Sequence, residues 1–305
     1  MKRLFKTFLS LLMIILLSFN FTNTHAAQTP VSTSDDWISQ ALSDYEPLQT
    51  LKKEYPNTEM VENNTKYILN ETEKDKNGNI LAVKKREFLN ESDLDKYLDK
   101  IKKEEIKKGK KIEEKKDGTV SIYLIEDGET VYNNSYTKLK IGLSLYKYSS
   151  EKFFVACVYE YKTKPEIDLT YHHKGIAGLA LGTQLAMDGK SSYGGRVTIT
   201  NYLGEKTVRN NLNDGLDIQA TGTQGIGYRI HEAETDLGLI TGLEGVISCT
   251  ATQTNPTDTS CSAFGEYDYL SISLGGFSVS YPSGISVGTG TVRTRYTIQD
   301  ALDLR

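Results

Sequence analysis

The chain has 305 residues, with 40 acidic against 36 basic side chains, a net charge of −4 and 38% hydrophobic residues. That balance argues against a nucleic-acid partner, whose phosphates call for a surplus of Lys and Arg, while the length is ample for a sizeable core. Three cysteines are too few for a fold held together mainly by disulfides.

Residues 1–26 read as a secretory signal. Lys2, Arg3 and Lys6 form a positive start, Leu9 to Phe19 is apolar apart from Ser10 and Ser18, and Thr24-His25-Ala26 offers a cleavage site. The apolar run is too short for a stable membrane-spanning helix. Its removal takes three positive charges with it and leaves a more acidic chain. Neither a cysteine near the cleavage point nor a hydrophobic tail at Asp300 to Arg305 suggests an anchor, so a secreted, extracellular chain with no transmembrane segment after cleavage is expected.

The mature part opens with a short helix capped by Ser34-Asp35-Asp36, with Trp37, Ile38, Ala41, Leu42 and Tyr45 on one side. Trp37 is the only tryptophan and is expected to dock this helix on a sheet. Lys66 to Phe88 reads as a hairpin turned at Asn77-Gly78, and Ser92 to about Lys108 as a helix with an apolar stripe of Leu94, Tyr97, Leu98 and Ile101, stopped at Gly109. The lysines of that helix are interleaved with glutamates and read as a solvated face. Asp117-Gly118 and Asp127-Gly128 turns bracket Val120 to Ile125, a meander leading into the next hairpin.

That hairpin, Lys138 to Pro165, is the densest apolar stretch. Leu139, Ile141, Leu143 and Leu145 alternate with polar or small residues; after the Ser149 to Lys152 turn, Phe153 to Val158 is apolar on both faces, which marks a central strand. Beyond Pro165 the composition changes: 20 of the 25 glycines lie there, with only Lys174, Lys190 and Lys206 among the lysines. We therefore divide the mature chain into a charged α+β region, 27–165, and a Gly/Ser/Thr-rich β region, 166–305, which can form one continuous domain. Strands are expected over Arg196 to Leu203, Gly225 to Ile230, Leu237 to Thr252, Ser262 to Ser280 and Ile285 to Ile298. A bulge at Gly275-Gly276 would reconcile Leu270, Ile272 and Leu274 with Phe277, Val279 and Tyr281. The expected fold class is mostly β, with antiparallel hairpins and meanders in a sandwich-like arrangement and two short N-terminal helices.

The motifs Tyr146-Lys-Tyr-Ser149, Phe153-Phe-Val155, Tyr159-Glu-Tyr161 and Pro165 resemble a pattern in uncharacterised secreted β-rich proteins of Gram-positive bacteria. The resemblance covers Lys66 to Gly182, with Tyr161 where that group carries tryptophan. It implies a secreted β-rich fold and brings no activity with it.

Cys249 and Cys261 flank an eleven-residue polar loop, and a bridge between them is expected, leaving Cys157 a buried thiol on its apolar strand. Candidates for chemistry are few. Asp168, His172 and His173 could supply a base or a metal ligand, but adjacent histidines on a strand point to opposite faces. His231 with Glu232 is a second candidate, although the HExxH zinc spacing is not present. Asn210 to Asp217 is read as a turn rather than a calcium loop, because Leu212 occupies a ligand position. Neither a cofactor nor a metal is expected. The leading expectation is a non-enzymatic extracellular module that binds an unknown extracellular or cell-envelope partner through Tyr-, Ser- and Thr-rich surfaces. Two other classes stay open: a secreted hydrolase acting on cell wall or polysaccharide, and a membrane-active β toxin whose strands are long enough for the about 9–11 residues each crossing needs.

Overall fold

The computed structural model describes residues 36–77, 80–115, 118–161, 174–189, 193–201, 203–210, 218–220, 224–231, 240–270, 277–281, 284–287 and 293–304. The expected signal segment and Gly275-Gly276 lie outside them.

The Lys138–Pro165 pattern forms the pairing its alternation predicts. Strand β5 (Glu129–Lys147) and strand β6 (Lys152–Tyr161) are antiparallel from Leu139↔Tyr161 to Lys147↔Phe153. Strand β1 (Glu59–Lys74) runs along the other side of β5, and β2 (Ile80–Phe88) pairs with β1. The meander strand β4 (Val120–Glu126) joins the far end of β5 through the Asp127-Gly128 turn, where both residues take positive φ, +49° and +84°. Short β3 (Lys111–Glu114) pairs with β4.

Beyond residue 165 the chain returns to this sheet. Strand β13 (Ile240–Gln253) lies between β6 and β9 (Tyr193–Asn201), with β10 (Lys206–Asn210) outside β9 and β8 (Leu185–Met187) against the end of β13. The result is a ten-stranded sheet with the order β10-β9-β13-β6-β5-β1-β2. A second sheet has the order β11-β12-β7-β14-β17, from Ile218–Ala220, Gly225–His231, Lys174–Leu181, Ser260–Leu270 and Arg293–Asp303. The stretch expected as one kinked strand from Ser262 to Ser280 is two elements: β14 stays in this sheet, while β15 (Phe277–Ser280) pairs with β16 (Gly284–Val287) in a small hairpin.

The main core lies between the two large sheets. Leu139, Ile141, Leu143, Leu145, Val155, Cys157 and Ile247 from one meet Leu179, Ala263, Ile298 and Leu302 from the other. Fully buried tyrosines dominate its polar chemistry. Tyr159 Oη is 2.7 Å from Tyr228 Oη, and Tyr161 Oη is 3.1 Å from Tyr267 Oη. Tyr267 stacks on Tyr159, with ring centroids 4.6 Å apart, and on Tyr296, at 6.2 Å. Asn70 Nδ2 donates to Tyr296 Oη, and Tyr228 Oη donates to the carbonyls of Val246 and Arg196 at 3.1 and 3.2 Å. A buried phenol must find such a partner, and burial holds the pKa values of Tyr228 and Tyr296 above the usual phenol range, so these groups remain donors. Tyrosines of the second half are thus committed in part to the interior rather than to a contact surface.

Among the described residues, three helices cover the outer face of the large sheet. Helix α1 (Asp36–Leu42) and helix α2 (Glu46–Glu54) place Ile38, Leu42, Leu48 and Leu51 on Tyr146, Phe154, Ala156, Val158 and Val246, with Trp37 packed at the margin. Helix α3 (Glu91–Lys107) sets Leu94 and Leu98 on Tyr67, Leu69, Val120, Ile122 and Tyr136. Its cap is Asn90, whose side chain accepts from Asp93 N at 2.8 Å, rather than a residue at 92 or beyond; Gly109 ends it at φ +80°. The unexpected helix is α2, whose Pro47 near its start and Leu48/Leu51 spacing were available signals.

The expected Cys249–Cys261 bridge is not formed: all three cysteines are free and buried. The intervening segment is a crossover, not a hairpin loop. Cys249 sits on β13 opposite Val155, whereas Cys261 sits on β14 opposite Leu302, each packed in the inter-sheet core from its own sheet. Burial raises all three thiol pKa values, that of Cys261 to about 12. A thiol-reactive dye at mild alkaline pH should therefore label none of them in the folded protein and all three after denaturation. Recovery of a single thiol in denaturant would restore the bridge.

Candidate functional site

The histidine candidates contribute little to a described site. Asp168, His172, His173 and Glu232 lie outside the described residues, as does most of the 210–217 turn, and His231 ends β12 with its backbone paired to Lys174. Among the described residues no group of three or more His, Cys, Asp or Glu is placed to hold a metal ion. Cys157 is fully buried and stays protonated, whereas nucleophilic attack needs the thiolate.

A different constellation forms at one end of the large sheet, where three distant segments meet. Tyr148 follows β5 at the hairpin turn, Asp188 follows β8, and Thr252 lies near the end of β13. Thr252 Oγ1 donates to Asp188 Oδ1, Tyr148 Oη approaches Asp188 Oδ2 at 3.4 Å, and Asp188 N donates to the Thr250 carbonyl at 3.1 Å. Partial burial, and then the Asp188 charge, push the Tyr148 phenol up to about 12, so it presents a proton at any physiological pH. Tyr55, just beyond α2, lies against Tyr148 with ring centroids 5.1 Å apart and planes tilted by 52°.

The 253–259 crossover borders this group and is held rigid from within. The side chain of Gln253, buried, donates from Nε2 to the carbonyls of Asn255 and Asp258 at 2.9 and 2.6 Å. Asn255 Oδ1 accepts from Thr257 N and Oγ1 at 3.2 and 3.0 Å, the turn that an Asn-Pro-Thr sequence favours. Thr254 is tied to β8's approach: its N donates to the Gln184 carbonyl and its Oγ1 to the Thr183 carbonyl, both at 2.9 Å. The exposed Thr254, Asn255 and Thr257 are therefore presented in fixed positions. Carboxylate, amide and hydroxyl groups beside an aromatic pair suit hydrogen-bonded recognition with ring contact. The sequence shows this loop only as a span between two cysteines; the Asn255-Pro256-Thr257-Asp258 turn chemistry and the Asp188-Gly189 pair were the signals that could have pointed to it.

No helix among the described residues is long and apolar enough to cross a membrane, a statement that does not bear on strands. No protein-family model matches the chain, and a search of curated proteins finds no match. Among solved structures, the chain is similar to Clostridium perfringens delta-toxin at 10% identity and a TM-score of 0.30, over 64% of this chain and 96% of that one. It is similar to the collagen-binding subdomain of an Enterococcus faecalis surface protein at 12% identity and 0.27, over 48% and 86%. A Streptococcus pyogenes backbone pilin matches at 9% identity and 0.29, over 79% and 63%. At these scores the likeness goes no further than a shared β-rich character, and the chain stands as a mostly antiparallel β sandwich with helices on its outer face.

Proposed function

We propose that this protein is an extracellular, non-enzymatic binding module whose contact surface comprises Tyr55, Tyr148, Asp188, Thr252 and the 254–259 loop, and whose ligand is a polyhydroxylated cell-envelope glycan. The observation that carries the reading is the pre-ordering of the loop by the buried Gln253 amide. A loop already fixed in its binding geometry loses little conformational entropy on contact, so a few hydrogen bonds can yield useful affinity. The tilted Tyr55–Tyr148 pair offers ring faces for sugar C–H groups, and Asp188 offers an acceptor for hydroxyls.

The test is to incubate the purified protein, residues 27–305, with isolated cell walls and, separately, with dye-loaded liposomes. Co-sedimentation with walls is expected, with at least a tenfold loss of affinity, about 1.4 kcal/mol, in Tyr148→Ala and Asn255→Ala. Release of soluble wall fragments would replace this reading with the hydrolase, and dye release would replace it with the membrane-active toxin. Wall binding indifferent to both substitutions would move the site elsewhere.

A further inference from the structure

The ten-stranded sheet ends on β2, and among the described residues no strand pairs with its outer side. Residues Val83 to Glu87 are all exposed, and Leu81 is 62% exposed. Val83 and Lys85 share one face of this edge, while Lys84 and Arg86 share the other, and the exposed Leu81 sits at the bulge where Glu73 and Lys74 pair with Ala82 and Ile80. Of the nearby carboxylates, Glu87 pairs with Lys66 at 3.0 Å and Glu71 accepts from Asn134 Nδ2 at 2.7 Å and Tyr136 Oη at 3.2 Å, while Glu73 lies 3.9 Å from Lys84 in a long, exposed pair that an incoming carboxylate can displace. Arg86 is braced over the Tyr97 ring at 4.3 Å. Leu69, Glu71, Lys84, Lys85, Arg86, Tyr97 and Tyr136 enclose a shallow pocket beside the edge.

A run of Lys and Arg on a sheet edge discourages a second copy from pairing there. The opposite edge, β10, carries Lys206 and Arg209 around Val208, which is 48% exposed. Both edges therefore carry cationic side chains that weigh against edge-to-edge pairing of two copies. In a chain of net charge −4, this leaves an edge that is basic, apolar in part and complementary to an acidic strand. From that complementarity we infer that β2 is a strand-addition site taking an extended acidic peptide segment. The segment would supply backbone hydrogen bonds to the open edge, apolar side chains beside Leu81 and Val83, and carboxylates beside Lys84 and Arg86, with one side chain entering the pocket. This surface is independent of the glycan-contact reading.

The probe is a fluorescein-labelled peptide of alternating Val and Asp residues, measured by fluorescence anisotropy at low salt. Saturable binding is expected, with slowed amide exchange confined to residues 80–88. Methylating alternate backbone nitrogens of the peptide keeps its charge but blocks pairing, and should weaken binding at least tenfold, as should Lys84→Glu/Arg86→Glu with an unchanged circular dichroism spectrum. Equal binding of the methylated peptide, or heparin binding that displaces the peptide without protecting residues 80–88, would make this a charge-only surface and overturn the proposal. So would absence of binding.

Discussion

Gly245→Ala should strongly destabilise the fold. A Cβ at Gly245 on β13 would stand 2.1 Å from both Cζ and Oη of Tyr159 and 2.6 Å from Cε1. The clash is with the end of a side chain, which elsewhere could swing aside. Here the ring is fully buried, stacked on Tyr267 at 4.6 Å and hydrogen-bonded to Tyr228 at 2.7 Å. Moving it would break the phenol pair and open the stack, so the added methyl forces either lost hydrogen bonds or strand displacement. Overpacking of this kind costs about 1–3 kcal/mol, and an orphaned buried phenol adds about 1–3 kcal/mol. Denaturant unfolding should therefore show a loss near the upper end of their sum. A loss below about 1 kcal/mol would mean that the Tyr159 ring does not lie over the glycine.

The second large effect is a coupling between the two sheets. Gly265 on β14 faces Cys157 on β6, and a Cβ there would meet Cys157 Sγ at 2.5 Å, Cys157 Cβ at 3.1 Å and Ile298 Cγ2 at 3.1 Å. Gly265→Ala alone should destabilise by about 2 kcal/mol through overpacking, and Cys157→Ala alone by about 1 kcal/mol through lost packing. In the double variant the new methyl occupies the space the sulfur vacated. The combined loss should be smaller than the sum by about 1 kcal/mol, read from a four-protein cycle in denaturant. Strict additivity would show that the sheets do not meet in this register.

Particular elements explain how much of this could be read from the sequence. The β5–β6 hairpin was legible because its alternation, its turn and its two-sided apolar half all specify the same pairing. Helix α3 was legible from its stripe and stop. Strand β7, at the centre of the second sheet, was not: Gly175 to Leu181 reads as small and featureless. Its smallness has a cause that only the tertiary structure supplies, since a Cβ at Gly178 would meet Ile285 of the β15–β16 hairpin at 2.8 Å. The cysteine pairing failed for a related reason. A polar loop between two strands looks alike whether the strands share a sheet or lie in opposite ones. The candidate site was illegible as a unit because Tyr148, Asp188 and Thr252 are assembled by strand pairings across the chain, although the turn chemistry of its loop was visible residue by residue.

The position of β13 also sets the tempo at which the protein can be made. Strand β6, buried on both faces, finds its second neighbour only in residues 243–252, and β14 must enter between β7 and β17, a strand that runs to Asp303. The large sheet cannot close before residue 253 is in place and the second sheet not before residue 303, and the contacts that close them span long stretches of sequence. Loop-closure entropy must be overcome before those contacts repay it, which places folding on the slow side, milliseconds to seconds, for a β topology of this kind. During that interval β6, which the finished molecule buries on both faces, has one unpaired edge. The basic rims of the finished sheet offer no protection at that stage, because the vulnerable edge is the one that later becomes its middle.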